Sequence, residues 1–135
     1  MQRVSDIEKA IDAHAHWASF IRKAVVERKS SIDLESIRAD NRCEFGKWLH
    51  GVQWLEDGPA KEAYWAVREL HAEFHEVSAR VVELALSGKI FHAYTLLYGE
   101  YLTMSGRLVI AMRAWQSALL KEILSRGDNG RNGRQ

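Results

Sequence analysis

A single proline, Pro59, interrupts a chain of 135 residues in which apolar side chains recur in steps of three and four. Proline is the strongest helix breaker, so its scarcity leaves long helices open on either side of it. The first seam is Ile7, Ala10/Ile11, His14, Trp17/Ala18, Ile21 and Ala24/Val25. It reads as an amphipathic helix that Ser5 and Glu8 open as a capping box and that ends near Lys29. The stretch after it, SSIDLESIRAD, is polar and irregular. Asn41 with Glu44 then signals a short helix through RCEFGKWLH, which Gly51 can close. Pro59 suits the first position of a third helix, whose seam is Tyr64, Val67, His71, Phe74/His75, Ser78, Val81/Val82 and Ala85. The break comes at SGK, beyond Leu86. A final helix from about Ile90 to Leu124 carries Tyr94, Leu97/Tyr98, Tyr101, Met104/Ser105, Leu108, Ala111/Met112, Trp115 and Leu119 on one face. At about 1.5 Å per residue it would extend about 50 Å. Seam-bearing helices joined by short turns, with no strand pattern, predict an all-α antiparallel bundle. Residues 1–126 are expected to form one domain, and the Gly/Asn/Arg-rich residues 127–135 a disordered tail.

The charges nearly cancel, 19 Lys+Arg against 18 Asp+Glu, so no basic excess points to nucleic acid or an anionic membrane. No apolar run approaches the roughly 18 residues that span a bilayer, and the first residues lack a secretory core. A cytoplasmic location is the expectation. Cys43 is the sole cysteine, which rules out an intrachain disulfide and directs attention to the thiol itself.

Helical geometry sorts the histidines. His14 lies on the first seam, whereas His16, about 200° further round the axis, points elsewhere. His71 and His75 share the third seam one turn apart, close enough to grip one ion. His50 and His92 lie outside the seams and read as solvated surface. Burying imidazoles costs free energy unless each finds a partner, and for any one of them a carbonyl would suffice. Three inward imidazoles beside a thiol make a stronger case. Cys43 falls in the first turn of the short helix, where the helix dipole favours a thiolate. Gly46, one turn on, would let that helix approach a neighbour closely. Three imidazoles and one thiolate match the closed tetrahedral donor set of non-catalytic zinc sites.

These residues resemble the chemoreceptor zinc-binding domain family. Cys43-Glu44-Phe45-Gly46-Lys47-Trp48 is similar to its Cys-x-(Leu/Phe)-Gly-x-Trp pattern. His14 with Trp17 is similar to its His-x-x-Trp, and His71 with His75 to its His-x-x-x-His, in an order that agrees from about Ile7 to Ala114. The resemblance implies a four-helix bundle, here with an additional short helix carrying the Cys motif, that forms a homodimer. It implies zinc held by His14, Cys43, His71 and His75. It further implies a sensory role, in which the domain modulates a chemoreceptor or diguanylate cyclase in response to zinc or oxidants. No output domain accompanies the motifs in this chain.

Two catalytic readings fare worse. A zincin needs a glutamate directly after its first histidine, and here that position is Ala72. A di-iron carrier wants several more inward histidines and carboxylates, and the last helix has no seam histidine. The chain is therefore not expected to be an enzyme. The alternative is a metal-independent helical dimerisation module, with the histidines structural and Tyr94, Tyr98, Tyr101 and Trp115 lining an interface.

Overall fold

The computed structural model describes residues 2–52 and 58–132, with side chains as far as residue 126. The elements in chain order are α1 (Gln2–Glu27), α2 (Leu34–Arg38), α3 (Glu44–Gly51), α4 (Lys61–Leu86), α5 (Ile90–Leu96), a π-helical turn (Leu97–Tyr101) and α6 (Leu102–Asn132). Among the described residues there is no strand. The all-α bundle expected from the seams is the fold.

Side-chain pairs fix the direction of each leg. His14 meets Phe74, and the Trp17 indole N–H donates to Ser78 Oγ at 3.3 Å, so α1 and α4 run the same way. Tyr64 packs on Trp115 and Phe74 on Tyr101, so α6 runs against α4. Glu8 pairs with Arg113, so α6 also runs against α1. The remaining leg is α2 with α3. Ile37 lies beside His75, and the Tyr64 hydroxyl donates to the Leu49 carbonyl at 2.7 Å, so this leg descends along α4. The bundle is thus up-down-up-down. The short helix that carries the Cys motif, α3, lies in the second of these four legs.

That leg is broken because its sequence cannot sustain one helix. Residues 30–40 read as irregular in the sequence, yet Asp33 caps α2 by accepting from the Ser36 N–H at 3.2 Å, and Ile37 is completely buried. Burial of Ile37, worth about 1.5–3 kcal/mol, stabilises a five-residue helix that propensity alone would not. The next helix starts at Glu44 with Cys43 as its N-cap, not at Asn41.

Tertiary contacts also override two expected ends. α1 begins at Gln2 rather than at the Ser5 capping box. Gln116 Nε2 donates to the Val4 carbonyl at 3.1 Å, tying the first turns to α6. The third helix starts at Lys61, two residues after Pro59, with Ala60 N–H donating to Glu122 Oε1 at 3.0 Å. The last helix runs to Asn132, into the Gly/Asn/Arg-rich tail. Of that tail, residues 133–135 and the side chains of 127–132 lie outside the described residues, as does the span 53–57. The π-helical turn inserts an extra residue that advances the seam. Leu97 and Tyr101 are buried, and Tyr98, expected on the seam, is 56% exposed.

α1 and α4 end alike. Lys29 N–H donates to the Ala24 carbonyl at 3.2 Å, and Lys89 N–H to the Leu84 carbonyl at 2.9 Å, each closing a left-handed reversal. The reversal after α4 uses Gly88 (φ 79°), but the one after α1 uses Arg28 (φ 55°). A Cβ in that region costs about 1–2 kcal/mol. Arg28→Gly is therefore expected to raise unfolding free energy by about 0.5–1 kcal/mol, after the greater backbone entropy of glycine is subtracted. Chemical denaturation of the two proteins checks it.

Candidate metal centre

Three donor atoms converge where the second leg meets α4. Cys43 Sγ lies 3.5 Å from His71 Nε2 and 3.4 Å from His75 Nε2, and the two Nε2 atoms are 3.1 Å apart. Cys43, His71 and His75 form the group of side chains able to hold a metal among the described residues. A tetrahedral zinc with Zn–N of about 2.0–2.1 Å and Zn–S of about 2.3 Å has N–N edges of about 3.3 Å and S–N edges of about 3.6 Å. The observed triangle is close to one face of that tetrahedron.

Each corner is held from behind. His71 and His75 are one turn apart on α4 and nearly fully buried, as the seam predicts. Residue 75 presents Nε2 inward because its Nδ1 bonds to the Ile37 carbonyl at 2.7 Å, with the N–H donating. That contact fixes the tautomer and leaves the Nε2 lone pair for a cation. Trp17 packs on the same ring at 5.3 Å, and Phe45 packs edge-on against His71 at 5.1 Å. The sulfur is positioned by the N-cap geometry of α3, where it accepts from the Gly46 N–H at 3.2 Å. Gly46 is required there. A Cβ on it would lie 1.8 Å from the Asp40 carbonyl oxygen, so the close neighbour expected of this glycine is the chain's own backbone just before Cys43.

The donor set suits either a shared proton or a cation. Two nitrogen lone pairs and a sulfur at contact distance repel unless a proton or a cation lies between them. His71 Nδ1 is moreover buried with no hydrogen-bond partner among the described residues. Burial pushes His71 down to about 3, with the His75 charge acting in the same direction. His75 and His14 are also lowered, chiefly by burial. The imidazoles are therefore neutral near pH 7, the form a metal needs. Burial raises the Cys43 thiol, outweighing the Gly46 N–H that favours the thiolate. The dipole effect expected at this cap thus does not prevail by itself; a bound cation would supply the missing charge.

The depressed imidazoles set an acid limit for the protein without metal. A histidine with a lowered folded-state pKa contributes stability that is complete above its unfolded value of 6.5 and is lost as pH falls towards about 3. Metal-free protein is expected to lose unfolding free energy steadily across that window. Urea midpoints at a series of pH values measure it.

His14 stands apart from the three. It lines the same cavity of about 140 Å³ as Cys43, His71 and His75, with Ala10, Ala13, Leu108 and Met112 around it. Its ring lies 4.6 Å from Phe74, and its Nε2 is 2.6 Å from Ser105 Oγ on α6. The structure therefore brings together Cys43, His71 and His75 and leaves His14 outside that group, on the same cavity and hydrogen-bonded to Ser105 of α6. Of the histidines read as surface, His16 and His92 are exposed, whereas His50 is half-buried with its Nε2 3.2 Å from Asp40 Oδ2. The Asp40 carboxylate acts to raise both His71 and His75, against the larger effect of burial. Sequence reasoning missed Asp40, Ile37 and Ser105. Only Asp40 had a signal, its position three residues before Cys43.

The family model described as Chemoreceptor zinc-binding domain matches residues 14–82, which include all four expected ligands. The match lies within the Ile7–Ala114 span of the resemblance and ends in α4. Neither the curated proteins nor the solved structures gave a match to the chain.

Proposed function

This chain belongs to the chemoreceptor zinc-binding domain family, a regulatory rather than catalytic family, and on that premise we propose that it is a zinc-dependent sensory module. Cys43, His71, His75 and His14 would hold one ion, three of them already within 3.5 Å of one another. The observation that carries this reading is the inward triangle of Sγ and two Nε2 atoms, which matches a tetrahedral face. Zinc bound there supplies a cross-link between the second leg, α4 and α1, with its coordination filled by protein.

The chain's own residues turn that cross-link into a signal. α2 and α3 are short, and their attachment rests on Ile37, Leu49 and the ring contacts of Phe45 and Trp48. Drawing Cys43 towards α4 orders this leg, since metal-binding free energy becomes folding free energy. Losing the sulfur as a ligand, by removal of zinc or by oxidation of the thiolate, frees the leg and uncovers Trp48. Catalysis is disfavoured by Ala72 after His71 and by Glu73, which is exposed on the opposite face. The module would act in the cytoplasm on a signalling protein such as a chemoreceptor or diguanylate cyclase, in cis or in trans. No described helix is long and apolar enough to cross a membrane. A homodimer is supported by exposed Phe91, Tyr98 and Leu102 along the first turns of the last leg.

Metal analysis after zinc loading and desalting tests the reading. One zinc per chain is expected, with an affinity that a chromophoric chelator can report. Protein that emerges without zinc contradicts it.

A further inference from the structure

His14 is the one proposed ligand whose nitrogens lie outside the converging group. Its Nε2 is instead 2.6 Å from the hydroxyl of Ser105, 91 residues away on α6. Ser105 is half-buried and stands one turn past the π-helical turn at Leu97–Tyr101. His14 and the three converging donors line one cavity of about 140 Å³, together with Ala10, Ala13, Phe74, Leu108 and Met112 among others. This space gives the ring room to move, and its small alanines lie on α1 itself.

We propose that Ser105 competes with the metal centre for His14, so that α1 exchanges a hydrogen bond to α6 for a bond to the ion. The proposal rests on the zinc reading above. Whichever group donates, the Nε2 atom is occupied. Either its lone pair accepts the serine O–H, or its proton is given to the serine oxygen and must leave before a metal can bind there. A metal bound through Nε2 therefore has to break this contact. Trp17, one turn along α1, is tied to α4 through Ser78 and packs on His75, so α1 is anchored to the ligand-bearing helix beside the moving residue. Ser105 consequently makes the α1–α6 seam responsive to the metal, and sets the affinity lower than the four ligands alone would give.

Ser105→Ala removes the rival partner and adds a good helix former. One net hydrogen bond of about 0.5–1.5 kcal/mol corresponds to zinc binding tighter by about two- to twelvefold, read by chelator competition on the full chain. The same substitution in a His14→Ala background is expected to leave affinity unchanged, because the competition needs the imidazole. Cobalt(II) in the single Ser105→Ala variant should keep the intense visible bands of a four-coordinate site. Equal affinity in wild type and Ser105→Ala overturns the proposal, and so does weaker binding, which would make the serine a support for the ligand. A shift that persists without His14 also overturns it. Wild-type protein that takes up no zinc would instead remove the zinc reading, so the two failures are distinct.

Discussion

Cys43→Ser is expected to weaken zinc binding by more than about a hundredfold, since removing even an outer partner of a ligand commonly costs 10–100-fold. The variant separates metal binding from folding. Cys43 is the N-cap of α3, with its sulfur accepting from the Gly46 N–H. Serine is among the best residues at that position, so the metal-free fold should be as stable as wild type or slightly more so. A chelator titration beside a thermal melt reads both quantities. Undiminished zinc affinity would show that the sulfur is not a ligand. A large fall in metal-free stability would show that the thiol serves mainly to pack.

Gly46→Ala should damage both. Its Cβ would sit 1.8 Å from the Asp40 carbonyl oxygen and 2.8 Å from the carbonyl carbon, a backbone obstacle that no rotamer change relieves. Overpacking of this kind costs about 1–3 kcal/mol, and a rigid neighbour places the expected loss near the upper end. The segment that must yield runs directly into Cys43, so zinc affinity should fall with stability. Gly51→Ala is the control within the same helix, because a Cβ there would meet nothing within 4 Å among the described residues. That change should leave zinc binding unaltered and shift stability by no more than about 1 kcal/mol. Comparable effects of the two substitutions would mean that helix propensity, not the Asp40 contact, governs α3.

The parts of this molecule that repeat with helical period are legible in its sequence. The seam running from Tyr64 to Ala85 places His71 and His75 inward, and both are buried there. The second leg is not legible as a leg. Its apolar residues are sparse, and α2 is five residues long, held by Ile37 and the Asp33 cap. Its place in the bundle depends on backbone groups that no side-chain pattern encodes, such as the Ile37 carbonyl beneath His75. The sequence sets the sulfur at the start of a helix, as observed, but not its titration, because burial at that cap outweighs the dipole. Tyr98 shows a different limit. A π-helical turn changes the phase of a seam without any proline or glycine pair to announce it, and the residue faces outward. Ser105 is on the expected seam, yet a serine there reads as a small filler until the imidazole across the interface is seen.

Zinc K-edge X-ray absorption of the loaded protein addresses the central claim most directly. One sulfur at about 2.3 Å with nitrogen neighbours at about 2.0–2.1 Å is the first shell predicted for Cys43 with the imidazoles. A shell of nitrogen and oxygen alone, with no sulfur, would contradict it.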